Sequence, residues 1–225
     1  NDPEEPFYTD AIKYFIFCTA VAEAIKKGAF GKLDVVHLHD WHSSLLLFLR
    51  KFHPEYTNLK DIRFVYSIHN LAIQGIRPFE NNYSSVRNWF PDIAIDHRAL
   101  MDYRYRDCIN LMAVGIRFAD AVHTVSPSYK EDVLLPSSPP EFIGGEGLER
   151  DLQKADAEGR LFGILNGCNY KNINVARGDR RNDLVENCCV IGIKRNPVEL
   201  TPEMEVGGVE NPHGNNSYIF YSYIF

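Results

Sequence analysis

In residues 10–27 the apolar positions fall at Ile12, Phe15, Ile16, Ala20 and Ala24, the i, i+3/i+4 spacing of an amphipathic helix, and Gly28 predicts its end. The period then changes. Residues 34–39 (DVVHLH) are a β-branched run of strand length, and residues 41–51 (WHSSLLLFLRK) return to helical spacing with their basic end C-terminal, where the helix dipole favours it. The alternation recurs with a strand at 62–68 (IRFVYSI) and a polar stretch around Gly75 and Pro78 that predicts no regular element. A helix at 107–119, a strand at 121–125, a helix at 128–135 and a strand at 161–165 follow, the last closed by Asn166 and Gly167. Such alternation predicts an α/β fold, a Rossmann-like parallel sheet with helices on both faces. From Lys171 the periodicity fades, and a Tyr-Ile-Phe triplet recurs at 218–220 and 223–225. Residues 1–170 are therefore expected to form one incomplete domain, and 171–225 a tail of unassigned architecture.

In open parallel sheets, ligands bind at the carboxyl ends of the strands, beside the amides of the following helices. The four predicted strands end at His39-Asp40-Trp41-His42, at His69-Asn70, at Ser126-Pro127-Ser128 and at Asn166-Gly167. All four ends are polar, so neighbouring parallel strands would gather them on one rim. Taken singly, Asp40 and Ser126 also suit helix caps, and Asn166-Gly167 suits an ordinary turn.

Composition narrows the partners. Hydrophobic residues make up 45% of the chain and charged residues 24%, which excludes fibrous and wholly disordered classes. The 24 Lys+Arg against 30 Asp+Glu leave a net charge of −6, so no global field draws in nucleic acid or an anionic membrane, and a polyanion would have to be met locally. The apolar stretch at 11–25 is broken by Lys13 and Glu23 and predicts no membrane span, and no secretory signal opens the chain, which starts at Asn1. A cytoplasmic protein is expected. Five cysteines, Cys18, Cys108, Cys168, Cys188 and Cys189, without a C-x-x-C pair predict reduced, packed thiols.

His37, His39 and His42 invite a metallohydrolase reading, since the first two share a strand face; the Asp40 position and the parallel α/β pattern argue against it, and the expectation for His37 is a buried strand histidine satisfied by a backbone carbonyl. The serine-hydrolase elbow, the phosphate-binding loop and the dinucleotide fingerprint are all lacking. Gly144-Gly145-Glu146-Gly147 follows a loop rather than a strand and reads as a connection.

The ordered set DVVHLHDWHSSLL (34–46), SIHNLAIQG (67–75), GIRFADAVHTVSPSY (115–129), GGEGLE (144–149) and GILNG (163–167) resembles bacterial glycogen/starch synthases. These are retaining glucosyltransferases of the GT-B type with two Rossmann-like domains. The resemblance implies transfer of glucose from ADP-glucose (or UDP-glucose) to an α-1,4-glucan acceptor, with no cofactor and no metal. It implies His69 and Asp40 as catalytic residues, and Asn70, Gln74, Ser126, Asn166 and Gly167 as substrate-binding residues. A retaining transfer passes through an oxocarbenium-like state, which favours oriented acceptors and dipoles around the anomeric carbon.

The departures also matter. The family's K-x-G-G-L loop, its E-P-C-G-L-type segment and the Arg/Lys pair of its second domain have no counterpart in these residues, and Ala113-Val114 stand where many members have Lys-Ala. A partial N-terminal domain, inactive by itself, is the expectation. A second reading, a non-catalytic glucan-binding module, draws on Trp41, Trp89, Phe90, Tyr103 and Tyr105, since aromatic faces stack on sugar rings.

Overall fold

The computed structural model describes residues 6–165, 191–195 and 218–219. Helix α1 (Pro6–Lys26) stops where the pattern puts its end: Gly28 takes φ +70°, its N–H donates to Ile25 O, and the Ala29 N–H reaches back to Ala24 O, the paired bonds of a left-handed helix cap. Strand β1 (Leu33–His39) runs directly into α2 (Asp40–Phe52), and a 3₁₀ segment, Pro54–Asp61, leads to β2 (Arg63–Ile68). Short elements follow: β3 (Ile76–Pro78), α3 (Val86–Trp89), α4 (His97–Leu100) and β4 (Cys108–Asn110). The chain then passes through α5 (Leu111–Phe118), β5 (Ala121–Thr124), α6 (Pro127–Val133), α7 (Glu149–Ala157) and β6 (Leu161–Gly163).

The expected α/β class is present as a parallel sheet flanked by helices. Its parallel part has the order β6-β5-β2-β1, with His39 level with Ser67, and Ser67 level with His123. Every crossover advances in one direction, so right-handedness lines α2, α5 and α7 along one face, with α1 packed against α2. That face carries the core: Val36 and Leu38 of β1, Phe64, Tyr66 and Ile68 of β2 and Val122 of β5 are buried. Alternation sends the remaining residues, Val35, His37 and His39, Val65 and Ser67, Ala121 and His123, to the opposite face. Gly115 brings α5 down onto the Tyr66 ring so closely that any Cβ would collide with it, and the Tyr66 hydroxyl donates to Met112 Sδ at 2.9 Å.

Two expectations at the element level are corrected. The stretch around Gly75 and Pro78 does hold a strand, since β3 pairs antiparallel with β4 and Pro78 sits level with Cys108. Three residues are too few to show alternation, and a two-stranded ribbon tolerates a proline that lacks an N–H. The helix expected over 107–119 begins only at Leu111, because Asn110 caps it by accepting the Ala113 N–H at 3.0 Å. In the tail, strands β7 (Ile191–Arg195) and β8 (Tyr218–Ile219) add antiparallel to the sheet beside β1. Cys18 is a packed thiol whose pKa burial pushes up to about 12. Among the described residues, no helix is long and apolar enough to cross a membrane.

Candidate active site

Because β1 passes into α2 without a loop, one residue must turn the chain, and Asp40 does so at φ +49°, in the left-handed region that aspartate tolerates better than most side chains. The turn aims its carboxylate across to the end of β2. Asp40 Oδ1 accepts the backbone N–H of His69 at 2.8 Å and that of Asn70 at 3.4 Å. These are amides that β2 leaves unpaired where it ends, so the two strand ends are fastened by a buried acceptor. Burial raises the Asp40 pKa, and the hydrogen bonds from His69 and Asn70 offset only part of that rise.

Side chains reinforce the junction. His39 Nδ1 and His69 Nε2 share a hydrogen bond at 2.8 Å, and their rings stack at 5.1 Å. Asn70 closes a turn by accepting the Ala72 N–H at 2.9 Å and is exposed. Behind this pair, Ser67 Oγ bridges His37 Nε2 and His123 Nδ1, both at 2.7 Å, linking three strands; His37 is satisfied as expected, but by a serine hydroxyl of the neighbouring strand in place of the expected backbone carbonyl. Burial and the neighbouring histidines lower His37 to about 4 and His39 to about 3, so both rings are neutral near pH 7. Among the described residues, His39 Nε2 and Trp41 Nε1 are buried without a hydrogen-bond partner.

Gln74 has its whole amide engaged inside the protein. Nε2 donates to Leu71 O at 2.9 Å and Glu146 O at 3.0 Å, and Oε1 accepts from Arg104 at 2.6 Å and Asn110 at 2.7 Å. It ties the loop after β2 to the Gly144–Gly147 segment, and it leaves no amide group over for a ligand. That segment is itself fixed, since the Gly144 and Glu146 N–H groups donate to Ser137 Oγ, and Gly147, at φ +86°, admits the Arg104 side chain where a Cβ would stand. Ser126 caps α6 by accepting the Tyr129 N–H at 3.0 Å.

The rim expected from the sequence thus exists for three of its four strand ends: Asp40, His69 and Asn70 meet, and Ser126 closes the neighbouring β5. Asn166 and Gly167 lie outside the described residues. The metallohydrolase trio does not assemble. His37 and His39 lie 4.3 Å apart by ring centroids, but His42, two residues past the turn at Asp40, packs on Tyr14 at 4.6 Å and Trp41 at 4.3 Å. Of the aromatics read as a sugar platform, Trp41 and Phe90 belong to the core, whereas Tyr103 and Tyr105 are exposed.

Sequence reasoning missed His39 as a partner of His69, although the period-two spacing of His37/His39 and Ser67/His69 already places all four on one sheet face. It also missed Arg104 and Asn110, which hold Gln74, and Asp102, which holds both of them; no local signal links Gln74 to these distant partners. Burial would raise the Asp102 pKa, but hydrogen bonds from Asn110 and Arg104 hold it below the ordinary value.

Comparison with known proteins gives a consistent result. The starch synthase catalytic domain family matches residues 1–154. The glycogen synthase of Clostridioides difficile is 36% identical over 162 residues, covering 72% of this chain and 31% of that protein. That of Flavobacterium johnsoniae is 32% identical over 210 residues, covering 92% of this chain and 40% of its own. Among solved structures, the catalytic domain of starch synthase IV from Arabidopsis thaliana, bound to ADP and acarbose, superposes with a TM-score of 0.55 at 25% identity, covering 71% of this chain and 30% of that one. The chain spans about a third of the length of the first curated relatives it matches.

Proposed function

Because the chain belongs to the starch synthase catalytic domain family, we propose that its strand-end rim forms one wall of a glucosyltransferase cleft of the GT-B type. The reaction is retaining transfer of glucose from ADP-glucose (or UDP-glucose) to an α-1,4-glucan, carried out in the cytoplasm. Residues 1–170 are the N-terminal part of the catalytic unit.

The observation that carries this reading is the fastening of His69 and Asn70 to Asp40. A transfer through an oxocarbenium-like state needs polar groups held in place before the bond breaks, so that no reorganisation is required as charge develops. His69 meets the sugar at the reacting end, its ring set by His39. Asp40 holds the loop and places a carboxylate under the anomeric region, Asn70 offers its exposed amide to sugar hydroxyls, and Gln74 keeps the wall in shape. Ser126 extends the rim at the end of β5, and substrate-binding roles for Asn166 and Gly167 belong to the same reading. His39 Nε2, buried without a hydrogen-bond partner, belongs to the same strand end and supports a polar ligand there.

Phosphate neutralisation by cationic groups contributes several kcal/mol to such transfers, and the matched family places these groups in its second domain. The 225-residue chain alone is therefore expected to transfer no glucose from ADP-glucose to glycogen. A chimera tests the reading: residues 34–163 of this chain replace the corresponding segment of the Clostridioides difficile relative. The chimera is expected to synthesise glucan and to lose at least about 100-fold in kcat on His69→Ala. A chimera whose activity is indifferent to His69→Ala refutes the reading.

A further inference from the structure

Although the chain carries a net charge of −6, positive charge is concentrated at the end of the sheet opposite Asp40. Phe118, which closes α5 just ahead of β5, and Arg160, which directly precedes β6, flank a cavity of about 230 Å³ that Arg98, Arg117, Lys154 and Tyr103 also line. We propose that this cavity is a binding site for a phosphate group, either free inorganic phosphate or a phosphomonoester.

The cations divide into two kinds. Arg117 and Arg160 are 12% and 21% exposed, and both are immobilised. Arg117 holds Asp151 through two nitrogens, at 2.9 and 2.7 Å, and donates to Ala99 O and Met101 O; Arg160 grips Glu158 at 2.9 and 2.6 Å and donates to Ile116 O and Ala119 O. Each guanidinium has five N–H donors, and at the Nη2 group facing its carboxylate one N–H of each is uncommitted. Arg98 and Lys154 are of the other kind. Both are exposed; Lys154 has only Glu158 at 3.9 Å, and no ion pair to Arg98 is found among the described residues.

Arg150 adds a fifth cation, with its guanidinium 4.9 Å from the Tyr103 ring centroid, while Arg117 stands 5.0 Å from the same ring. Four cations therefore line this cavity, with Arg150 beside them over Tyr103, against one lining carboxylate, Asp151, which Arg117 already engages. Two fixed guanidiniums and two exposed cations, of which Lys154 has only a long contact to Glu158, in a concave site suit a compact, multiply charged oxyanion, which can take charge-assisted bonds from several sides. The site lies at the opposite strand ends from the proposed cleft and does not depend on the glucosyltransferase reading.

The test is an NMR titration of the 225-residue chain with inorganic phosphate, and in a second arm with glycerol phosphate, against sodium chloride at matched ionic strength. Saturable shifts at the amides of Arg98, Ala99, Phe118 and Lys154 are expected with phosphate and not with chloride, and the tighter arm identifies the source of the group. The double variant Arg98→Ser/Lys154→Ser removes two exposed side chains that hold no core contact, and it is expected to weaken binding at least about tenfold. No saturable shift, the same shifts with chloride, or unchanged affinity in the double variant would overturn the proposal.

Discussion

Asp40 Oδ1 lies 2.8 Å from the backbone nitrogen of His69 and accepts its hydrogen bond across the ends of two parallel strands. That one contact fastens two β-ends together, and it gives Asp40 a structural role beside the catalytic one proposed for it. The two roles separate by substitution.

Asp40→Asn keeps an oxygen acceptor and a side chain that tolerates positive φ. Its stability is expected to stay within about 1 kcal/mol of the parent, while Asp40→Ala, which orphans the His69 N–H, costs about 1–3 kcal/mol. Urea unfolding measures both. In the active chimera the carboxylate matters as charge, so Asp40→Asn is expected to lower kcat about 100-fold despite its intact fold.

Ser67 is 1% exposed and serves two histidines on neighbouring strands. Ser67→Ala leaves His37 Nε2 and His123 Nδ1 without it, and an expected loss of about 1–3 kcal/mol follows. A urea midpoint equal to that of the parent would show that the bridge contributes nothing.

The histidines also set a pH dependence. His37 and His42 are lowered to about 4 and His39 to about 3, chiefly by burial, so the folded chain refuses protons that the unfolded chain accepts from about pH 6.5 downward. Their contribution to stability is complete above pH 6.5 and is lost as pH falls toward about 4, at roughly 1.4 kcal/mol per pH unit for each histidine. Asp40, whose pKa is raised, acts in the opposite sense in the carboxylate range: what it contributes is present at low pH and lost as pH rises through its folded value. Unfolding free energies at pH 5 and pH 7 should differ accordingly, and His37→Asn should remove about one proton from the slope; a flat profile would contradict the buried neutral rings.

The register of α5 on the sheet rests on Gly115, where a Cβ would strike the Tyr66 ring. Gly115→Ala is expected to cost about 1–3 kcal/mol by overpacking, in spite of alanine's better helix propensity, and thermal melting measures the balance.

Strands β1 and β2 and the long helices were legible in the sequence because each is long enough to show its character: residues 34–39 form a β-branched run of strand length, and residues 41–51 return to helical spacing. The polar strand ends pointed to the rim for the same reason. Strand β3 was not legible, since three residues including Pro78 carry no period. The late start of α5 depends on one side chain, Asn110, whose capping is invisible when flanked by apolar residues on both sides. The role of Gln74 as a brace comes from Arg104, Asn110 and Glu146, distant in sequence and joined only by folding. His39 was read as a metal candidate because two histidines at period two share a face; what decides its role is the neighbour across the strand, His69, and not the one along it.

The central claim is that Asp40, His69 and Asn70 form a sugar-binding rim, and a titration of the ¹⁵N-labelled chain with maltoheptaose tests it most directly. The account predicts saturable shifts at the amides of His69 and Asn70 and at the His69 ring nitrogens, diminished in Asp40→Asn. Saturable binding that leaves these three residues unmoved, or no binding at millimolar glucan, would contradict it.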